Sequence, residues 1–159
     1  MGSDPIFLIA RRLTERKQTL AIAESSAGGF INAAMVGVPG ASAYYLGGCI
    51  VYTAASREGL LGITAADMQG MRSASEPFAR LMAQRIRTRL GATWGLAETG
   101  ASGPAGNRYG DAPGHACFAV SGPVEASVTL ETRSGDREAN MRAFAQHALQ
   151  LLKDCIERS

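Results

Sequence analysis

The stretch Thr19-Leu-Ala-Ile-Ala-Glu-Ser-Ser-Ala-Gly-Gly-Phe30 decides how the chain is read. Thr19 to Ala23 is an apolar run too short for a helix, so it predicts a buried strand ending at Glu24. Apolar sequence resumes after Gly28-Gly29, and a helix is expected from near Gly28 through Met35. A chain that only needed to turn could use Asn, Asp, Gly or Pro. A carboxylate and two hydroxyls beside two glycines suit a nucleophile or an anion-binding helix start. They equally suit a serine N-cap with glycines that allow close packing, and the motif alone leaves both readings open.

Working outward, Asp4-Pro5 is a cap followed by Pro at the first helical position, and Ile6, Ile9, Ala10 and Leu13 follow at helical spacing. This predicts a first helix to about Lys17. "VGVPGASAYY" reads as a loop, "GGCIVYT" as a second buried strand ending near Thr53, and Ser56 as the cap of a short helix over Arg57 to Leu61. Ser75-Glu76-Pro77 opens a helix with Phe78, Leu81, Met82, Ile86 and Leu90 on one face. "TWGLAE" is a third strand, "TGASGPAGNRYGDAPG" a long glycine-rich loop, and "HACFAV" and "EASVTLET" a hairpin joined at Ser121-Gly122-Pro123. Asp136 caps a last helix striped by Met141, Phe144, Ala148, Leu152 and Ile156. Apolar strands alternating with helices predict an α/β layered fold in a single domain, residues 1–159. Its sheet should be mixed and mostly parallel, with helices covering both faces. In such sheets ligands gather where strands end. Glu24-Ser25-Ser26, Tyr52-Thr53 and Glu98-Thr99-Gly100 therefore form one candidate site.

Composition narrows the function classes. The 159 residues are 46% hydrophobic and 19% charged, with a net charge of +2, too small for a nucleic-acid footprint. Arg80, Arg85, Arg87 and Arg89 crowd one helix and read as a solvated face. Three widely separated cysteines, Cys49, Cys117 and Cys155, give neither a disulfide framework nor a zinc motif. No basic leader precedes a long apolar stretch and no run is long enough to span a bilayer, so a cytoplasmic location without membrane association is expected.

"AESSAGG", "GGCIVYTAASREGLLGI" at 47–63, "SASEP" at 73–77, "TGASGPAG" at 99–106 and "SGDREANMR" at 134–142 resemble, in this order and spacing, the CinA C-terminal-domain family. That family contains the nicotinamide mononucleotide deamidases. The resemblance implies hydrolysis of a nicotinamide nucleotide's carboxamide to the acid and ammonia, with no metal or organic cofactor. It places the catalytic serine of A-E-S-C-T-G-G at Ser25 and keeps Glu24, Gly28 and Gly29. The family's Cys is Ser26 here and its Thr is Ala27. Its lysine in V-T-Y-S-N-E-A-K is replaced by Arg57, its S-G-I-A-G-P becomes Thr99 to Pro104, and Asn107, Arg108, Tyr109 and Asp111 stand in an altered stretch beyond. His115 stands where the family tends to carry Thr.

On this resemblance Ser25 attacks the carboxamide carbon, N–H groups at Ser26 to Gly28 hold the oxyanion, and Arg57 shares the catalytic centre. Glu24, Ser26, Gly28, Gly29, Tyr52, Thr99, Gly100, Ser102 and Arg137 are the expected substrate-binding residues. A guanidinium stays protonated where a lysine could lose its proton, so weak deamidase activity is expected. His115 could replace the missing base, although a lone His opening a strand is usually structural. The alternative is a non-catalytic nucleotide-binding paralogue, a sensor or binding module, which Arg57, Ala27 and the altered loop favour. The expected partner is a small-molecule nucleotide. Self-association is expected from the family, and the apolar loop "GASAYYLGG" suits either such an interface or burial against its own sheet.

Overall fold

A computed structural model describes residues 4–159; the leader reading of Met1 to Ser3 lies outside the described residues. Helix α1 (Pro5–Arg16) is capped by the Asp4 carboxylate, which accepts from Ile6 N–H at 3.0 Å. Then follow β1 (Leu20–Glu24), α2 (Phe30–Val36), a short 3₁₀ turn at Ala41–Ala43, β2 (Tyr45–Ile50), α3 (Ala54–Leu61) and α4 (Glu76–Leu90). Strands β3 (Trp94–Ala101), β4 (His115–Ser121) and β5 (Ala126–Glu131) precede the long α5 (Arg137–Glu157).

The five strands form one mixed sheet in the order β2-β1-β3-β4-β5. The half around β1 is parallel, and β3-β4-β5 is an antiparallel meander. Alternation along β1 divides the core. Leu20 and Ile22 face α1, α2 and α5 together with Leu96, Phe118 and Phe144. Ala21 and Ala23 face α4 together with Ala97, Cys117 and Ala119. The second face is lined by small residues, so α4 lies close to the strands. A Cβ on Gly95 would collide with the Ala83 carbonyl of that helix.

Three elements depart from the sequence reading. β2 is an edge strand whose residues alternate between half-buried and exposed, rather than a buried one, and it ends at Ile50. Ala54, not Arg57, begins α3. Thr53 is its cap, and Ser56 is the third helical residue of a capping box in which each side chain meets the other's backbone N–H. β3 runs on to Ala101, because Thr99, Gly100 and Ala101 pair with Cys117, Ala116 and His115, which leaves 102–114 as the loop. Among the described residues no helix is long and apolar enough to cross a membrane.

Candidate functional site

Strand β1 ends at Glu24, and its parallel register with β3 sets Glu98 beside it on the same face of the sheet, three residues before β3 ends. Both Glu24 and Glu98 are fully buried, a position that a carboxylate occupies only when donors surround it. The turn after β1 supplies those donors. Glu24 accepts from the Gly29, Ile31 and Asn32 N–H groups at 3.1, 3.0 and 2.7 Å and from Asn32 Nδ2 at 2.6 Å. It is a built-in anion at the N-terminus of α2, where first-turn N–H groups need an acceptor. Glu98 reaches across from β3 and accepts from the Ser25 N–H at 3.0 Å, the Ala27 N–H at 2.8 Å and the Ser26 hydroxyl. Burial, opposed by these bonds and reinforced by the Glu24 charge, pushes the Glu98 carboxyl up to about 7.

A cleft of about 350 Å³ opens beside this turn. Ser25, half-exposed, lines it together with Ser26, Tyr52, Arg57, Thr99, Gly100, Ser102 and Arg137. The Ser25 N–H goes to Glu98 and its carbonyl accepts from Gly28. Ser26 is nearly buried, and its carbonyl accepts from Ser102 Oγ at 2.9 Å. The Ser102 carbonyl in turn accepts from Asn140 Nδ2 of α5 at 2.8 Å.

Thr99 Oγ1 accepts from the Ala74 N–H at 3.0 Å, while the Ala74 carbonyl faces His115 Nε2 at 2.8 Å. Ala74 is thus held from both sides in a left-handed conformation, φ 55°, unusual for a non-glycine residue. Gly100 lines the cleft, and a Cβ there would collide with the His115 carbonyl of the neighbouring strand.

Positive charge gathers at the rim. Arg57 Nη1 bonds Ser73 Oγ at 3.1 Å and its guanidinium lies 5.7 Å from the Phe78 ring centre. Arg137 bonds the Tyr52 hydroxyl at 2.9 Å and the Gly103 carbonyl, and Arg108 bonds the Tyr109 hydroxyl at 3.1 Å. All three line the cleft, and their partners are neutral oxygens. Arg72 differs: it holds Asp111 through two bonds at 2.6 and 3.2 Å and ties the 102–114 loop to the start of α4. That contact, with Asn107 assisting, keeps the Asp111 carboxyl below its usual range.

Several sequence-derived expectations change here. Glu24 does not line the cleft, because its carboxylate is occupied by the α2 amides. Gly28 and Gly29 do not line it either; they turn the chain with φ of 68° and 107°, and the Gly29 N–H serves Glu24. Of the expected oxyanion amides, Ala27 donates to Glu98 and Gly28 to the Ser25 carbonyl. The Ser26 N–H is the one amide of Ser25 to Gly28 without an acceptor among the described residues. His115 is no free base: it is buried, does not line the cleft, and both ring nitrogens face acceptors, Nδ1 the Glu131 carboxylate at 2.5 Å and Nε2 the Ala74 carbonyl. Burial opposes its charge, but Glu131, the Ala74 carbonyl and Asp111 outweigh burial and raise its pKa.

Glu98 was expected among the strand ends of the site, but the sequence assigned it no role there. Its signal was present in the strand "GLAE", which ends, like "AIAE" before Ser25, in a carboxylate after apolar residues. Among the described residues no group of three His, Cys, Asp or Glu side chains could hold a metal ion.

The family model of the CinA C-terminal domain matches residues 6–156. A CinA-like protein of Synechococcus sp. (strain CC9902) is 41% identical over 115 residues, which is 72% of this chain and 27% of that protein. A CinA-like protein of Anaeromyxobacter sp. (strain K) is 36% identical over 146 residues, 92% of this chain and 36% of that protein. The chain therefore spans about a third or less of the length of these relatives. Among solved structures, the competence-damaged protein (CinA) superfamily protein of Klebsiella pneumoniae 700603 superposes with a TM-score of 0.90 at 25% identity, covering 98% of this chain and 97% of that one. The corresponding superfamily protein of Escherichia coli gives 0.87 at 25% identity, covering 94% and 87%. A match over nearly every residue, with the same fold throughout, establishes that the chain belongs to the CinA C-terminal domain family.

Proposed function

We propose that the protein is an amidohydrolase of the nicotinamide mononucleotide deamidase type, acting on the carboxamide of a nicotinamide nucleotide. One observation carries the reading. A half-exposed serine at a strand-turn-helix corner lines the same cleft as three guanidiniums that have no carboxylate partner. Arg57, Arg108 and Arg137 would anchor phosphate. Ser25 Oγ would bond to the carboxamide carbon while the Ser26 N–H holds the developing oxyanion. The C–N bond then breaks, the serine proton leaves with ammonia, and water hydrolyses the acyl-serine to the acid. Turnover should be slow, since Arg57 cannot accept the proton and His115 is engaged elsewhere. Loss of general-base help is worth roughly 10²- to 10⁴-fold.

The second reading, a non-catalytic nucleotide binder, is favoured by that same fixed charge at Arg57. Ammonia release from nicotinamide mononucleotide, with Ser25→Ala as the blank, separates the two when run beside calorimetry on one preparation. Turnover lost in Ser25→Ala supports the hydrolase; binding without ammonia supports the binder; neither at millimolar ligand overturns both. Removing the Arg57 guanidinium should weaken nucleotide binding about tenfold at low salt.

A further inference from the structure

Glu98 is a buried carboxylate in direct contact with the Ser25 to Ala27 turn, and nothing in the hydrolytic scheme above uses it. Its three donors come from three consecutive residues of that turn: the N–H groups either side of Ser26 and the hydroxyl of Ser26 itself. An ionised carboxylate satisfies all three at once, since it only accepts. Ser26 then directs its single hydroxyl proton at Glu98 and keeps its lone pairs for a donor. A protonated carboxyl carries one O–H that must find an acceptor, and the Ser26 oxygen is the one within reach. The hydrogen bond reverses, the Ser26 proton points elsewhere, and the grip on the turn weakens.

We propose that Glu98 is the positioning residue of this site: its carboxylate holds Ser25 in place and sets the direction of the Ser26 hydroxyl, so the turn has two states distinguished by one buried proton. This rests on the hydrolase reading above for its effect on rate, but the two states of the turn exist whatever the ligand. The carboxyl's environment places the exchange between them near neutrality, about 7, with burial as the main cause. The charged group acting on it is Glu24 on the adjacent strand. Opposite it on β4 stands Phe118, packed edge-on against Phe144 of α5, and neither carries charge.

The test uses the full chain and two readouts. In the first, carboxyl carbons and backbone amides are followed by NMR from pH 5 to pH 9 without ligand. One carboxyl should titrate near 7, the Ser25 and Ala27 amides should shift with the same midpoint, and both changes should be missing in Glu98→Gln. In the second, ammonia release from nicotinamide mononucleotide is measured across the same range. The wild-type kcat should rise with pH to a plateau through that midpoint. Glu98→Gln offers Ser26 an N–H donor at every pH and so resembles the protonated form. Its kcat should be at least tenfold lower and flat with pH, with KM changed less than threefold.

If Glu98→Gln fails to fold, Ser26→Ala serves in its place. By removing the hydroxyl that stabilises the charge it should move the carboxyl midpoint upward. A Glu98 that titrates in the ordinary carboxylate range, amides that ignore its titration, or a Glu98→Gln enzyme with the wild-type pH profile would each overturn the proposal. A wild-type protein that releases no ammonia would overturn the hydrolase reading instead, while the NMR titration still decides whether the turn has two states.

Discussion

Glu24 and Glu98 stand side by side on neighbouring strands, lie on one face of the sheet and are equally buried, yet they act on the turn after β1 in different ways. Glu24 is ringed by N–H donors from Gly29, Ile31 and Asn32, groups that can only give a proton and have nowhere else to give it. That arrangement fixes the start of α2 in a single state. Glu98 has two such donors, and its third is a hydroxyl, which can also accept. Replacing one N–H by one O–H is what allows a buried carboxyl to exist in two forms without setting two donors against each other. The first carboxylate is architecture; the second can respond to solution conditions.

The largest effect that would break this contrast is at Glu24. Glu24→Ala leaves four N–H donors without acceptors, each costing about 1–3 kcal/mol, so a loss of about 4 kcal/mol or more in urea unfolding is expected. A loss of less than about 1 kcal/mol would show that water replaces the carboxylate and that the two positions are not different in kind.

Next comes the pH dependence at Glu98. Its folded pKa of about 7 lies above the reference value of 4.5, so the fold retains a proton that the unfolded chain releases. Stability from this group is complete below 4.5, falls as pH rises, and is gone above 7. Each pH unit between the unfolded and folded values is worth about 1.4 kcal/mol, so relative to Glu98→Gln the wild type should lose about 3 kcal/mol of unfolding free energy as pH rises from 4.5 to about 8. Parallel stability curves for the two proteins would remove the distinction from Glu24.

His115 sharpens the comparison from the opposite sign, a buried imidazole whose surrounding acceptors favour its protonated form, where Glu98 is a carboxyl among donors. Its raised pKa means that its contribution is present below the ordinary imidazole value and lost as pH rises through the folded one. His115→Phe should cost about 2 kcal/mol near pH 6, chiefly from the buried Ala74 carbonyl left without this donor and secondarily from the lost contact to the half-exposed Glu131, and less at about pH 9. Equal losses at both pH values would mean that the ring is neutral in the fold.

The smallest expected effect is kinetic. Arg57→Lys supplies a cation that can lose its proton, and ammonia release should rise about tenfold, about 1.4 kcal/mol, mostly at mildly alkaline pH. Brisk turnover with Arg57 intact, abolished by Ser25→Ala, would show that the proton acceptor lies elsewhere.

Much of this was legible in the chain. The caps at Asp4, Ser75 and Asp136 and the apolar stripes marked three helices, because their signals are local. Ser25, Tyr52, Arg57 and Thr99 were expected at neighbouring strand ends, and the structure places them around one cleft. The exposure of β2 was not legible, since an apolar run does not say whether its strand lies inside the sheet or at its edge. Nor were the roles of Glu24 and Glu98. Each follows an apolar run, and only the register of β1 against β3 shows that they are neighbours dividing one turn between them. His115 was read as usually structural with a base role left open, and the sequence could not close that choice because Glu131, sixteen residues away, and the Ala74 carbonyl are brought to it only by tertiary structure.

The start of α5 gives the cleft a birth order. Ser26 is bound by Ser102, Ser102 by Asn140, and Tyr52 by Arg137, contacts that bridge 76, 38 and 85 positions of chain. Closing such long loops is slow and yields nothing until the last partner arrives. During synthesis, then, β1, β3 and the Ser25 turn emerge well before Arg137 and Asn140, the α5 residues that brace Tyr52 and Ser102. A nascent chain halted before Arg137 can hold nearly all of the cleft lining and still lack the two α5 side chains that fasten Tyr52 and Ser102.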